Sequence, residues 1–417
     1  MKNILFILPW LPYPLKSGGH QAIFNGIKAV VDDYNVFITY DKNENIDDSK
    51  EQTNLSKALG KRITILPYNQ SQKREKQSIA IRCYIKLWNI KELIKKTIKC
   101  TKEVHIPSFF KITITDNSRI SFINNLIKTN CIDIVQCEMA SNLSDVLILP
   151  SYIKKIYVQH QIDYVKCRLA LEEQKIYSMY KDAFSLSKQS ELFLLNHFDT
   201  IIALSNYDKK IMEQDGVLVP ICVSPAIIAT EQKQHIKGPM KKILSFIGPS
   251  SHYPNVNGIK WFLNNCWEQL KKADNEFKMQ IIGDWDESIK KSILKKHPDI
   301  EFCGFISDLS PKIANTIMIV PINIGSGIRM KILEAISNGV PVVSTSIGAQ
   351  GLPLEDKIDC YITDNPLTFV DDILLLKNKS KRESIILNAQ KKVSADYSLG
   401  HLKKTRLNIY NTEHIPI

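Results

Sequence analysis

The chain has 417 residues, 44% hydrophobic and 24% charged, an ordinary globular composition with length for two or three domains. Lys and Arg number 55 against 43 Asp and Glu, a formal charge of +12 that attracts anions in general, although no nucleic-acid motif accompanies it. No apolar run reaches the roughly 18–20 residues of a membrane span, and nine scattered cysteines without a C-x-x-C pair favour reduced thiols in a cytoplasm over a disulfide or zinc framework.

Taken in order, the start MKNILFILPWLPYP reads as a first strand, not a signal peptide, because Pro9, Pro12 and Pro14 break its apolar run. The strand covers Asn3 to Leu8, a loop runs from Pro12 to His20, and Ala22 to Val31 has helical spacing. Gly18 and Gly19 at this junction permit close approach of a ligand to the backbone; a plain tight turn is the alternative. Val36 to Tyr40 and Arg62 to Leu66 are further strands. Segment 73–102 is lysine-rich with interleaved apolar residues, and suits either an anionic membrane surface or a solvated face over an apolar stripe. Ser118 to Thr129 is helical and Ile132 to Glu138 is a strand. Ile156 to His160 is a strand ending in a histidine, at the end where open α/β sheets bind ligands. Asp199 to Leu204 is a strand, and Ser205 with Asp208 forms an S-x-x-D helix cap that by itself explains Ser205. Val217 to Pro220 is a short strand. Residues 226–240, rich in Lys, Gln and Thr, read as a linker, which divides the chain into 1–225, 226–240, 241–395 and a terminal segment 396–417.

The second half starts again with strands at Lys242 to Ile247, Met279 to Ile282 and Ile300 to Phe302. Asp284 and Asp286 form a D-x-D, a weak metal signal that fits a helix N-terminus equally well. Met318 to Ile322 is a buried strand, Asn323 to Gly327 a glycine loop, Ile328 to Ser337 a helix ended by Gly339, and Val340 to Thr345 the next strand. Such a βαβ unit opens its loop onto a helix N-terminus, a natural anion site. Arg329 and Lys331 fall in the expected first turn, where the macrodipole disfavours cations by roughly 0.3–1 kcal/mol each. A bound diphosphate would remove that conflict. Glu334, three residues after Lys331, suits the hydroxyls of a sugar; a surface Lys–Glu pair is the plainer reading. Tyr361 to Thr363 is a last strand, followed by helices at Phe369 to Lys377, Lys381 to Val393 and Asp396 to Asn411.

The segment GSGIRMKILEAISNGVPVVST with GAQGL after it resembles the donor-binding segment of family 4 retaining glycosyltransferases, in the subgroup with G-x-G-x-R-x-K-x-L-E-A followed by G-x-P-V-V. The GPSSHYPN and GFISDL loops and FDTIIALSNYDKKIM resemble the same family, so the likeness covers nearly the whole chain. It implies the GT-B fold, two α/β Rossmann-like domains facing across a cleft, with 396–417 crossing back onto the first. It implies transfer of a hexose-type sugar from a nucleotide-diphosphate donor to a glycan or lipid-linked glycan hydroxyl, without metal or cofactor, in a cytoplasmic protein with a membrane-peripheral variant left open by segment 73–102. Arg329 and Lys331 would stabilise the diphosphate, and His160 would face the donor sugar. Gly18, Gly19, Ser326, Gly327, Ile328 and Glu334 would line the donor, with Phe305 and Ile306 near the base.

Two departures stand out. PICVSP replaces the P-N-G-V-D usual after the Val217 to Pro220 strand, and the usual Arg and Lys after GPSS are missing, which makes Arg329 and Lys331 their replacements. Many members carry a glutamate eight positions before Glu334; here that position is Ser326. This absence supports a second reading, a catalytically inactive glycosyltransferase-like partner protein; a GT-B sugar-nucleotide epimerase is a third. Walker, H-E-x-x-H and G-x-S-x-G signatures are missing, and Met330 breaks a dinucleotide fingerprint, which sets aside P-loop hydrolysis, zinc and serine hydrolysis and hydride transfer.

Overall fold

Two all-parallel sheets organise the chain. A computed structural model describes residues 1–42, 47–60, 62–69, 107–112, 117–228 and 239–412. The basic segment 73–102 and most of the expected linker lie outside the described residues.

The first sheet contains β1 (Asn3–Leu8), β2 (Asn35–Lys42), β3 (Ile63–Ile65), β4 (Tyr68–Asn69), β5 (Ile134–Glu138), β6 (Lys154–Gln159), β7 (Thr200–Ala203) and β8 (Ile221–Val223). Its order is β3-β2-β1-β5-β6-β7-β8, with β4 extending β2. The second contains β9 (Ile243–Ile247), β10 (Lys278–Ile282), β11 (Ile300–Gly304), β12 (Ile317–Val320), β13 (Val342–Ser344) and β14 (Tyr361–Ile362), ordered β11-β10-β9-β12-β13-β14. Continuous apolar runs form the central strands because helices cover both faces. Leu5 pairs with Phe37 on one side and Val135 on the other, and Ile4 to Leu8 are all fully buried. The two halves are the Rossmann-like pair that the resemblance implies.

In each sheet the order reverses once, between β1 and β5 and between β9 and β12. Loops leaving neighbouring strands there diverge to opposite faces and open a crevice at their carboxyl ends. The Pro9–Ser17 loop and Met139 border the first crevice, and Gly248–His252 and Pro321–Arg329 the second. Met139 turns out of β5 with φ +67, a left-handed conformation costly for a side-chain-bearing residue.

The strand expected at Val217 to Pro220 lies instead at Ile221–Val223. Gly216, with φ +105, ends the preceding helix in a turn, and ladder pairing starts only where the Pro220 carbonyl accepts the Ile201 N–H. Ala226 and Ile227 are buried against the first core, and the Ile227 carbonyl accepts a hydrogen bond from Asn25.

The terminal helix, Leu399–Asn411, starts at its Ser398 cap, three residues later than the spacing predicts. Leu402, Ile409 and Tyr410 pack into the core of the first sheet. Its last turn rests on a buried lysine. Lys154 Nζ donates to the carbonyls of Ile409, Tyr410 and Thr412 at 2.9, 3.2 and 2.7 Å. These are carbonyls without intrahelical partners, at the negative end of the helix dipole, so a buried cation is stabilised there.

Candidate active site

The carboxyl edges of the two sheets face each other, and the β12 loop reaches from the second half onto the first. Gly327 adopts φ +75, and a Cβ built on it would lie 2.2 Å from the His160 carbonyl oxygen. Ser326 Oγ donates to the Ile162 carbonyl at 2.9 Å. A Cβ on Gly18 would lie 2.8 Å from Met330, and one on Gly19 2.8 Å from the Met139 methyl. The residues expected from both halves therefore meet: Gly18, His160, Ser326, Gly327 and, packed against both cores, Ile328. Glycine at 18 and 327 is needed for this approach.

The helix after the loop covers Met330–Ser337, so Arg329 is its N-cap residue and not, as expected, part of its first turn. The side chain folds back over its own loop. Nη1 donates to the carbonyls of Ser326 and Gly327 at 2.6 and 2.5 Å, oxygens that the left-handed glycines 325 and 327 turn inward. Nη2 lies in the space that a Gly325 side chain would fill and has no hydrogen-bond partner among the described residues. Burial lowers the guanidinium to about 10, partly opposed by Asp208.

Lys331 Nζ donates to Asn255 Oδ1 at 2.9 Å and sits 4.0 Å from the centroid of the Phe246 ring. Burial, then Arg329, pushes its pKa well below the ordinary lysine value. His252, the N-cap of the helix Tyr253–Phe262, is lowered to about 3 by burial and by the charges of Lys331, Lys166 and Arg329. Cations repel one another at this spot, beside a helix N-terminus. An anion reverses each of these penalties at once.

Glu334 lies on the same helix and faces the first domain, where Gln21 Nε2 approaches it at 3.4 Å. Phe305 and Ile306 lie at the carboxyl end of β11, two strands from the crevice. Phe305 is 46% exposed, and Ile306 packs on the second core. The Gly283 N–H donates to the Gly304 carbonyl, and Gly283 packs on Gly248, so the loops from β9, β10 and β11 form one continuous floor. Of the D-x-D pair, Asp286 caps the helix Glu287–Leu294 through the Ser288 N–H at 2.8 Å.

On the facing side, His160 Nε2 pairs with the buried Glu138 carboxylate. His160, Trp10, Phe109, Phe110, Met139 and Lys166 are among the residues lining a cavity of about 340 Å³. Spacing assigned no role in the site to Glu138, Asn255, His252 or Asp208. Asp208, read only as part of a cap, is 2% exposed and accepts from the Ser205 hydroxyl at 2.6 Å. Burial pushes its carboxyl up, against the Ser205 hydroxyl, the Gly327 N–H and the Arg329 charge that hold it down. The cap thus also braces the β12 loop. Ser205→Ala removes the acceptor of the Asp208 N–H and is expected to cost about 0.5–2 kcal/mol of stability, read from denaturant unfolding. An unchanged midpoint would remove the cap from this account.

Residues 241–378 match the family model for glycosyl transferases group 1. A Klebsiella pneumoniae protein, described as an uncharacterized 44.6 kDa protein in the cps region, is 29% identical over 166 residues, 36% of this chain and 42% of that protein. The chain thus matches less than half of that relative's length. Among solved structures, a mutant of S. aureus TarM in complex with fondaparinux, alpha-GlcNAc-glycerol and UDP superposes with a TM-score of 0.69 at 15% identity over 99% of this chain and 100% of that one. Anabaena HepE with UDP and glucose gives 0.65 at 13% identity, over 99% and 100%. The pneumococcal O-GlcNAc transferase GtfA with UDP and GlcNAc gives 0.63 at 10%, over 99% and 100%. The two halves have the GT-B arrangement, and the segment similar to the group 1 glycosyl transferases, residues 241–378, is the one that holds Arg329, Lys331 and Glu334.

Proposed function

We propose that the chain is a retaining hexosyltransferase that moves a sugar from a nucleotide-diphosphate donor to a hydroxyl of a glycan or lipid-linked glycan, in cell-surface polysaccharide synthesis. The convergence of Arg329, Lys331 and the β12 loop on one crevice, opposite His160, carries this reading. In the reaction the bond from the anomeric carbon to the diphosphate oxygen breaks, and the diphosphate keeps the electron pair. A new bond forms to the acceptor oxygen, whose proton is released. Negative charge gathers on the diphosphate as its bond breaks, and preorganised cations and N–H groups stabilise that charge without reorganisation. Two protein cations make a metal unnecessary for this task. Glu334 would accept hydrogen bonds from ribose hydroxyls, and the aromatic cavity beside His160 would take the acceptor. The cps-region relative and the UDP-bound neighbours support the substrate class.

One observation favours a second reading, an inactive glycosyltransferase-like partner protein. The Ser326 hydroxyl, at the place of the missing glutamate, is engaged with Ile162. A panel of UDP-, GDP- and ADP-sugars in a thermal-shift assay separates the readings. A donor at about 100 times its Kd adds about 2.7 kcal/mol. No response from folded protein sinks the transferase, whereas binding without turnover on any glycan acceptor favours the partner. Glu334→Ala is expected to weaken the responding donor by about tenfold, roughly 1.4 kcal/mol; unchanged binding removes Glu334 from the site.

A further inference from the structure

A line of buried polar side chains runs from the terminal helix to His160. The Tyr410 hydroxyl donates to Gln136 Oε1 at 2.5 Å, and Gln136 Nε2 donates to Glu138 Oε1 at 2.6 Å. Glu138 Oε2 pairs with His160 Nε2. Tyr410 and Gln136 are fully buried and Glu138 is 2% exposed. Their directions are coupled. The phenol donates to the amide oxygen, so the amide N–H points at Glu138; the opposite amide would set two oxygens face to face. An ionised carboxylate accepts only, so its second oxygen requires a proton on His160 Nε2.

Resting on the transferase reading, we infer that Glu138 is a positioning residue that holds His160 as its Nε2–H tautomer, so that Nδ1 offers a lone pair to the cavity and binds a sugar hydroxyl. Among the described residues no hydrogen bond reaches Nδ1, and the ring lines the cavity. The His160 backbone is pressed against Gly327, so ring and main chain are held from two sides. The helix that crosses back onto the first sheet thereby orients the Gln136 amide that braces Glu138, the partner of a cleft residue far from that helix in sequence. Its last turn is held in place by Lys154.

Nitrogen-15 NMR of His160 in the ligand-free full chain tests this. The Nε2–H tautomer is expected. In Glu138→Gln the new amide oxygen faces Gln136, so its NH₂ group faces the imidazole and drives the proton to Nδ1. Glycosyl transfer by this variant should then fall on the order of 100-fold or more in kcat. Tyr410→Phe frees the Gln136 amide but leaves the acceptor-only carboxylate in place, so the Nε2–H tautomer is expected to persist. An Nδ1–H ring in the wild type, or an Nε2–H ring in Glu138→Gln, overturns the assignment, and the wild-type spectrum decides even if that variant does not fold. A tautomer that inverts without loss of kcat overturns the hydroxyl-binding role. The spectrum needs no substrate, so its outcome is separate from the fate of the transferase reading.

Discussion

Gly327→Ala should leave two folded halves that no longer close on each other. The added methyl lies 2.2 Å from a backbone oxygen, that of His160, which cannot rotate away as a side-chain tip would. At φ +75 the new residue is also strained, by about 1–3 kcal/mol. The cheapest relief is separation of the β12 loop from the end of β6, which breaks the Ser326 contact to Ile162. Misplacement by about 1 Å costs on the order of 100-fold in rate, so transfer should fall at least that far while most of the secondary structure persists. Small-angle scattering should show a more open particle. Gly400→Ala is the control. No atom lies within 4 Å of a Cβ there, and the position is helical, so stability should rise by about 0.4–1 kcal/mol with activity unchanged. If Gly327→Ala turns over like the wild type, the closed contact between the halves is not the working geometry.

Lys331→Met should keep the fold and lose the chemistry. Methionine can lie over the Phe246 ring as the lysine stem does, leaving Asn255 to find another donor. Removing one preorganised stabiliser of developing charge costs about 100–1,000-fold in kcat. The buried lysine also has a pH signature. Its folded pKa is depressed below 10.5, so between the folded value and 10.5 the unfolded chain binds more protons than the folded one. Stability of the ligand-free protein therefore rises with pH through that window and levels off above it. A bound diphosphate favours the charged form, so binding at a pH inside that window should take up a proton, seen by calorimetry in buffers of different ionisation enthalpy. His252 is lowered to about 3 and contributes only below its ordinary 6.5. Uptake that persists in Lys331→Met would assign the proton elsewhere.

The β12 segment shows how far residue patterns reach. A five-residue apolar run, a glycine loop and a helical stripe announce a βαβ unit because each depends on burial along one element. The same holds for the strand that ends in His160. Boundaries slipped where a single local group decides them: at Pro220, whose carbonyl starts the β8 ladder, at Ser398, whose hydroxyl caps the last helix, and at Arg329, left outside the helix by the loop it folds over.

The amino-acid sequence by itself determined two α/β halves, the anion-suited loop and the cationic side chains beside it, since these follow from apolar periodicity, glycine and charge close along the chain. Tertiary structure alone decided what those side chains touch. Arg329 turns onto its own loop carbonyls, Lys331 reaches Asn255, Asp208 braces the Gly327 loop, and Glu138 joins His160 to the terminal helix. These partners are brought together by strand order and by the apposition of two sheet edges. Spacing along a single element carries no record of either, because it reports which face is buried and not what lies across from it.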